Sequence, residues 1–200
     1  MTKKPWDYHS DLTEERLTLI ARLIIQGRND ALDRHDTSIG DDAWTLGCKA
    51  FAYGKFRIVE ADETDTHPWL RIVDSSMQFV FTIGAVPVRF YHGTADEPNQ
   101  RTLRQSFPEL RQLDLGFESE DEGRDLAYRF AVETDIDGSV LRVIFVGLRG
   151  EDSVLNWEVP ISAEVRTLHI ARSEPAPGVE LPPPSVQAPG DEEEHDADSQ

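Results

Sequence analysis

The sequence predicts an α+β fold in which N-terminal helices pack on a mainly antiparallel sheet of about five to seven strands. Three observations support this fold class. Apolar residues recur at helical spacing in the first third of the chain and alternate at strand spacing in the remainder. The C-terminal end lacks both patterns and is rich in proline and acidic residues. We therefore expect one globular domain over residues 1–172 and a disordered Pro-rich acidic tail over residues 173–200.

The first helix is predicted over residues 12–35. Asp11 is expected to cap its N-terminus, with Glu14 at the third helical position, where a carboxylate interacts favourably with the helix dipole. Arg34 and His35 supply the positive charge that suits a C-terminal turn. The apolar residues behind the cap follow the spacing of one buried stripe: Leu17, Ile20, Leu23, Ile24, Gly27 and Ala31.

A second helix is predicted from Asp42 to Ala61, capped by Asp41 or Asp42. Gly47 and Gly54 each weaken it by about 1 kcal/mol relative to alanine. The single cysteine, Cys48, lies in this helix and is expected to be a small buried hydrophobe rather than a nucleophile. The side chains expected to face the core are Trp44, Phe51, Ile58 and Val59.

Alternation with a period of two predicts a strand over residues 77–83, with one buried face. The residues expected on that face are Met77, Phe79, Phe81 and Ile83. Further strands are predicted on either side, over residues 69–74 and 86–91. Asp137-Gly138 marks a tight hairpin between two more strands, over residues 126–134 and 140–148.

Two further elements complete the domain. Leu155, Trp157, Val159 and Ile161 alternate again and predict a last strand. Ser106 to Glu109 resembles a capping box that opens a short helix toward Leu113. The short connections between successive strands favour an antiparallel meander.

The tail, from Ser173 to Gln200, carries eight acidic residues, no lysine or arginine and half of the twelve prolines of the chain. Val179, Leu181 and Val186 are its only sizeable apolar side chains. So little apolar surface cannot offset the entropy of ordering, and we therefore expect disorder with some polyproline-II character. The whole chain has a net charge of −18, of which the tail contributes −8, so residues 1–172 have a net charge of −10.

Charge and composition exclude several classes of protein. A chain with 38 acidic and 20 basic residues is poorly suited to neutralising the phosphates of DNA or RNA, or to lying on an anionic membrane. The N-terminus has no apolar region typical of a signal peptide. A single cysteine cannot form an internal disulfide, which agrees with a reducing cytoplasm. These features predict a cytoplasmic protein that binds neither nucleic acid nor membranes directly.

Common catalytic and ligand-binding motifs are missing. The sequence contains no HExxH, CxxC, GxSxG or GxGxxG, the local signatures of zinc peptidases, redox dithiols, hydrolases and dinucleotide-binding folds. We therefore expect no metal and no cofactor.

The densest group of carboxylates is Glu60, Asp62, Glu63 and Asp65, followed by His67. Such oxygen ligands could bind a divalent cation, and a histidine beside them could transfer protons. The spacing does not match an EF-hand loop, because His67 and Asp74 occupy the positions that require glycine and glutamate. The alternative is a solvated loop between a helix and a strand, ended by Pro68.

The best candidate for recognising an anionic group or a partner lies where the 86–91 strand runs into a loop that contains Gly93. Strand ends and the loops after them often carry binding groups, and arginine and tyrosine are enriched at interfaces. The alternative is an ordinary strand at the rim of the sheet, with Arg89 and Tyr91 facing outward. The candidate binding residues are Arg89, Tyr91, His92, Asp96, Glu97, Arg101 and Arg104.

Four segments resemble parts of uncharacterised bacterial proteins that are associated with genes for XRE-type helix-turn-helix regulators and ImmA-like zinc peptidases. These segments are residues 44–48, 86–93, 101–105 and 140–145, and the resemblance extends over residues 10–160. It carries no catalytic motif. It implies a bacterial cytoplasmic protein that works with such a regulatory pair.

Three functions remain open from the sequence. The first is a non-enzymatic interaction module that binds a protein partner, which could be basic, as an accessory of a regulatory or toxin–antitoxin-like pair. The second is an enzyme whose site assembles only in the fold, at the strand end with Arg89 and His92 or at the loop from Glu60 to His67. The third is an acidic mimic of nucleic acid that occupies a basic partner. The oligomeric state is not predicted.

Overall fold

The structure is a computed structural model, and it describes residues 3–98, 100–116, 123 and 125–161. The predicted tail over residues 173–200 lies outside the described residues. Five α-helices are described: α1 (Pro5–Tyr8), α2 (Glu14–Asp33), α3 (Ala43–Glu63), α4 (Gln100–Leu103) and α5 (Phe107–Gly116). Six strands are described: β1 (Leu70–Asp74), β2 (Val80–Ile83), β3 (Val86–His92), β4 (Ala127–Thr134), β5 (Val140–Arg149) and β6 (Asp152–Glu158).

The six strands form one sheet in the order of the chain, β1-β2-β3-β4-β5-β6. All neighbours are antiparallel except β3 and β4, which run parallel. The α+β fold and the mainly antiparallel sheet are therefore confirmed. The simple meander is wrong at one point, because parallel neighbours need a crossover connection, and α4 and α5 lie in this one.

The sheet is covered on both faces. The larger core packs α2 and α3 against residues such as Phe81, Phe130 and Phe145. On the opposite face, Ala131 and Val146 form a smaller core with Leu103 of α4. The expectation of a single buried face was therefore wrong for the central strands, since every residue of β2 is buried.

Three of the four residues expected on the buried face of this strand, Phe79, Phe81 and Ile83, are buried, and Met77 is the exception. Met77 was expected in the core but is 73% exposed, whereas Val80 was expected outward and is 0% exposed. The strand begins only at Val80, because a turn precedes it, in which Phe79 adopts a φ of 36° and donates its N–H to Ser76. Alternation therefore does not extend back to Met77.

The cap of α2 is also shifted from the predicted position. Thr13 is the N-cap, and its hydroxyl accepts a hydrogen bond from Arg16 N. The Asp11 carboxylate instead accepts a hydrogen bond from Ala85 N at 3.0 Å and pairs with Arg16 at 2.6 Å. Asp11 thus joins the start of α2 to the turn between β2 and β3.

Asp42 caps α3, and of the two alternatives for this cap it is the one observed. Two predictions for α3 were wrong: Trp44 is 74% exposed, and Cys48 is exposed. Gly54 packs close to Phe90 of β3 and to Ile24 of α2, whereas Trp44 and Cys48 lie one turn apart on a part of α3 that is exposed. None of the helices in the described ranges combines the length and the apolar character that a membrane span requires.

Candidate functional site

A groove of about 900 Å³ lies between α3 and the second half of β3. All four residues from Arg89 to His92 line it. Successive residues of a strand face opposite sides of a sheet, so a cavity lined by four in a row lies along the edge of the strand. We call this cavity the β3 groove.

The edge of β3 is open here because β2 is short. β2 pairs with β3 from Val86 to Val88, and β3 continues to His92. Gly93 N donates to Val132 O of β4, so alternation directs the N–H and C=O groups of Phe90 and His92 toward the side where β2 has ended. The groove therefore runs beside backbone groups with the geometry of an edge strand.

The other wall of the β3 groove is apolar. Trp44 and Phe56 of α3 are 74% and 59% exposed, and Met77 adds a third exposed apolar side chain. At the base, the rings of Phe51 and Phe90 lie 5.2 Å apart. An exposed cluster of large apolar side chains in one groove is typical of a binding surface, whereas single exposed ones are ordinary.

Beneath the strand edge lies a group of three charged side chains. Arg89 of β3 and Arg129 of β4 are direct neighbours in register, so their side chains lie on the same face of the sheet. Glu109 of α5 is 0% exposed and forms an ion pair with Arg129. Arg89 Nη1 lies 4.0 Å from the same carboxylate and donates to Arg104 O at 3.1 Å. Both arginines therefore lie at the buried carboxylate of Glu109. Hydrogen bonds from Ser76, with smaller effects of the Arg89 and Lys55 charges, hold the pKa of the Asp74 carboxyl below its usual value.

Arg129 is 1% exposed and lines the β3 groove. Its Nε donates to Thr102 O at 3.2 Å, and its Nη1 donates to Tyr128 O at 2.8 Å and to Glu109. Among the described residues, its Nη2 has no hydrogen-bond partner. A buried donor without an acceptor is costly, so Nη2 of Arg129 is an unsatisfied polar atom beneath the groove.

Tyr91 and His92 are held in place by local hydrogen bonds. The Tyr91 hydroxyl donates to Thr94 O at 3.0 Å, and burial raises the pKa of Tyr91 to about 12. His92 Nε2 lies 3.0 Å from Thr134 Oγ1. Desolvation by neighbouring groups, with a smaller effect of the Arg28 charge, lowers the pKa of the His92 imidazole. Neither side chain has a carboxylate oriented to make it a catalytic base in the contacts described.

The remaining predicted site residues are not among those that line the β3 groove. Asp96 and Glu97 are exposed in the loop after β3 and are not among the groove residues. Arg104 is exposed and contributes its carbonyl oxygen to Arg89. Arg101 lies in α4, and its side chain is outside the described residues. The structure thus brings together Arg89, Tyr91 and His92 of the predicted set.

The sequence analysis missed Arg129 and Glu109, the buried ion pair of the site. One signal was present: Arg129 interrupts an apolar strand, between Tyr128 and Phe130. A charged residue at a core position needs a buried partner. The identity of that partner, 20 residues earlier in α5, depends on the crossover between β3 and β4.

The cluster of carboxylates between Glu60 and His67 makes its contacts outside the β3 groove. Asp62 and Asp65 both pair with Arg71, at 3.1 and 3.2 Å, and Asp62 also accepts from Ile72 N. His67 lines a separate cavity beside Trp69 and α2, so the two clusters of the enzyme hypothesis do not meet in the β3 groove. Within the described ranges, no three His, Cys, Asp or Glu residues form a group that could hold a metal ion.

Comparison of the chain with protein-family models, with curated proteins and with solved structures finds no match.

Proposed function

We propose that the protein is a non-enzymatic interaction module that binds an extended, apolar segment of a partner protein in the β3 groove. The observation that carries this proposal is the exposed apolar wall of α3, with Trp44 and Phe56, beside an open strand edge. An added strand gains affinity from main-chain hydrogen bonds and specificity from side chains that enter neighbouring apolar sites.

The geometry supports a segment in the extended conformation. Phe90 and His92 direct their backbone groups toward the groove, so a partner strand would continue the sheet where β2 ends. Side chains of that strand on the Phe90 face would contact Phe51 and the exposed rings of α3. The regulatory pair implied by the resemblance supplies the first full-length partners to test.

Selection from a random peptide display library tests the proposal. Peptides enriched on the full chain are expected to shift the backbone amide NMR signals of Phe90 and His92 and the indole signal of Trp44. Replacing Trp44 and Phe56 together by serine should weaken binding at least about tenfold, because interface aromatics carry much of the binding energy. Ile136→Ser is the matched control, since Ile136 is fully exposed and outside the groove.

Two results would overturn the proposal. One is the failure of repeated selections to enrich any peptide. The other is enriched peptides that bind the Trp44 and Phe56 double variant as tightly as the unmodified chain.

A further inference from the structure

We draw no further inference here: the strongest candidate, the exposed apolar patch that Trp44, Phe56 and Met77 form along the β3 groove, belongs to the site already described.

Discussion

Gly27 of α2 and Gly54 of α3 meet where the two helices pack together, and a Cβ atom added to Gly27 would lie 2.3 Å from the backbone nitrogen of Gly54. No side chain can move to relieve this contact, because the atoms that meet are backbone atoms. A Cβ atom added to Gly54 would lie 3.3 Å from the ring of Phe90, a residue that also lines the β3 groove. This pair of glycines therefore sets the distance between α2, α3 and the β3 groove.

We expect Gly27→Ala to destabilise the fold by about 1–3 kcal/mol, the usual cost of overpacking, despite the better helix propensity of alanine. Gly47→Ala is the matched control in α3, since a Cβ atom there meets nothing within 4 Å. It should stabilise the fold by up to about 1 kcal/mol. Urea unfolding followed by circular dichroism measures both. A Gly27→Ala variant as stable as the unmodified chain would show that the helices can separate without cost.

The Asp11 carboxylate should make stability depend on pH in the acidic range. Partial burial raises the pKa of Asp11, but hydrogen bonds from Ala85 N and Arg16 outweigh this effect and hold the pKa below its usual value of 3.8. The stabilisation is therefore complete above pH 3.8 and is lost as the pH falls through the lower pKa of the folded state.

At neutral pH, Asp11→Ala should lower the free energy of unfolding by about 1–2 kcal/mol. Asp11→Asn should lower it less, because the amide oxygen can still accept from Ala85 N. The difference between the unmodified chain and Asp11→Ala should shrink as the pH is lowered below 3.8. Urea unfolding at several pH values gives this difference, and a value independent of pH would contradict the assignment.

The buried pair of Arg129 and Glu109 should show strong coupling in stability. Glu109→Met leaves the Arg129 charge buried without its partner, which costs about 3–5 kcal/mol. Combining it with Arg129→Met removes both charges and should recover most of that loss. A double-mutant cycle of unfolding free energies measures the coupling. Equal stability of the single and double variants would show that burying the Arg129 charge without Glu109 costs no free energy.

The alternation pattern predicts that Met77 is buried and Val80 exposed, so a polar substitution should destabilise the fold more at Met77. The structure predicts the reverse order for these two residues. Val80→Thr places a hydroxyl in the core and should cost about 1–3 kcal/mol, because Val80 is fully buried. Met77→Thr should change stability by less than about 0.5 kcal/mol, because Met77 is largely exposed. Thermal unfolding of the two variants shows which of the two side chains is buried. A greater loss for Met77→Thr would place Met77 in the core, as the alternation predicts.

The amino-acid sequence by itself determined the elements and the class of the fold. Apolar spacing identified α2 and α3, and Asp137-Gly138 marked the hairpin between β4 and β5, because these signals are local and repeat along one element. Within the candidate site, the same local signals identified Arg89, Tyr91 and His92 at the end of a strand, and all three line the β3 groove.

Tertiary structure alone decided which of these elements meet. The parallel pairing of β3 with β4 places Arg129 beside Arg89, and the crossover brings Glu109 beneath both. The early end of β2 opens the edge of β3, and the packing of α3 at Gly54 places Trp44 and Phe56 of this helix beside that edge, where both are exposed. These contacts join residues far apart in the chain, so their energies depend on packing and strand order, which no local pattern of residues encodes.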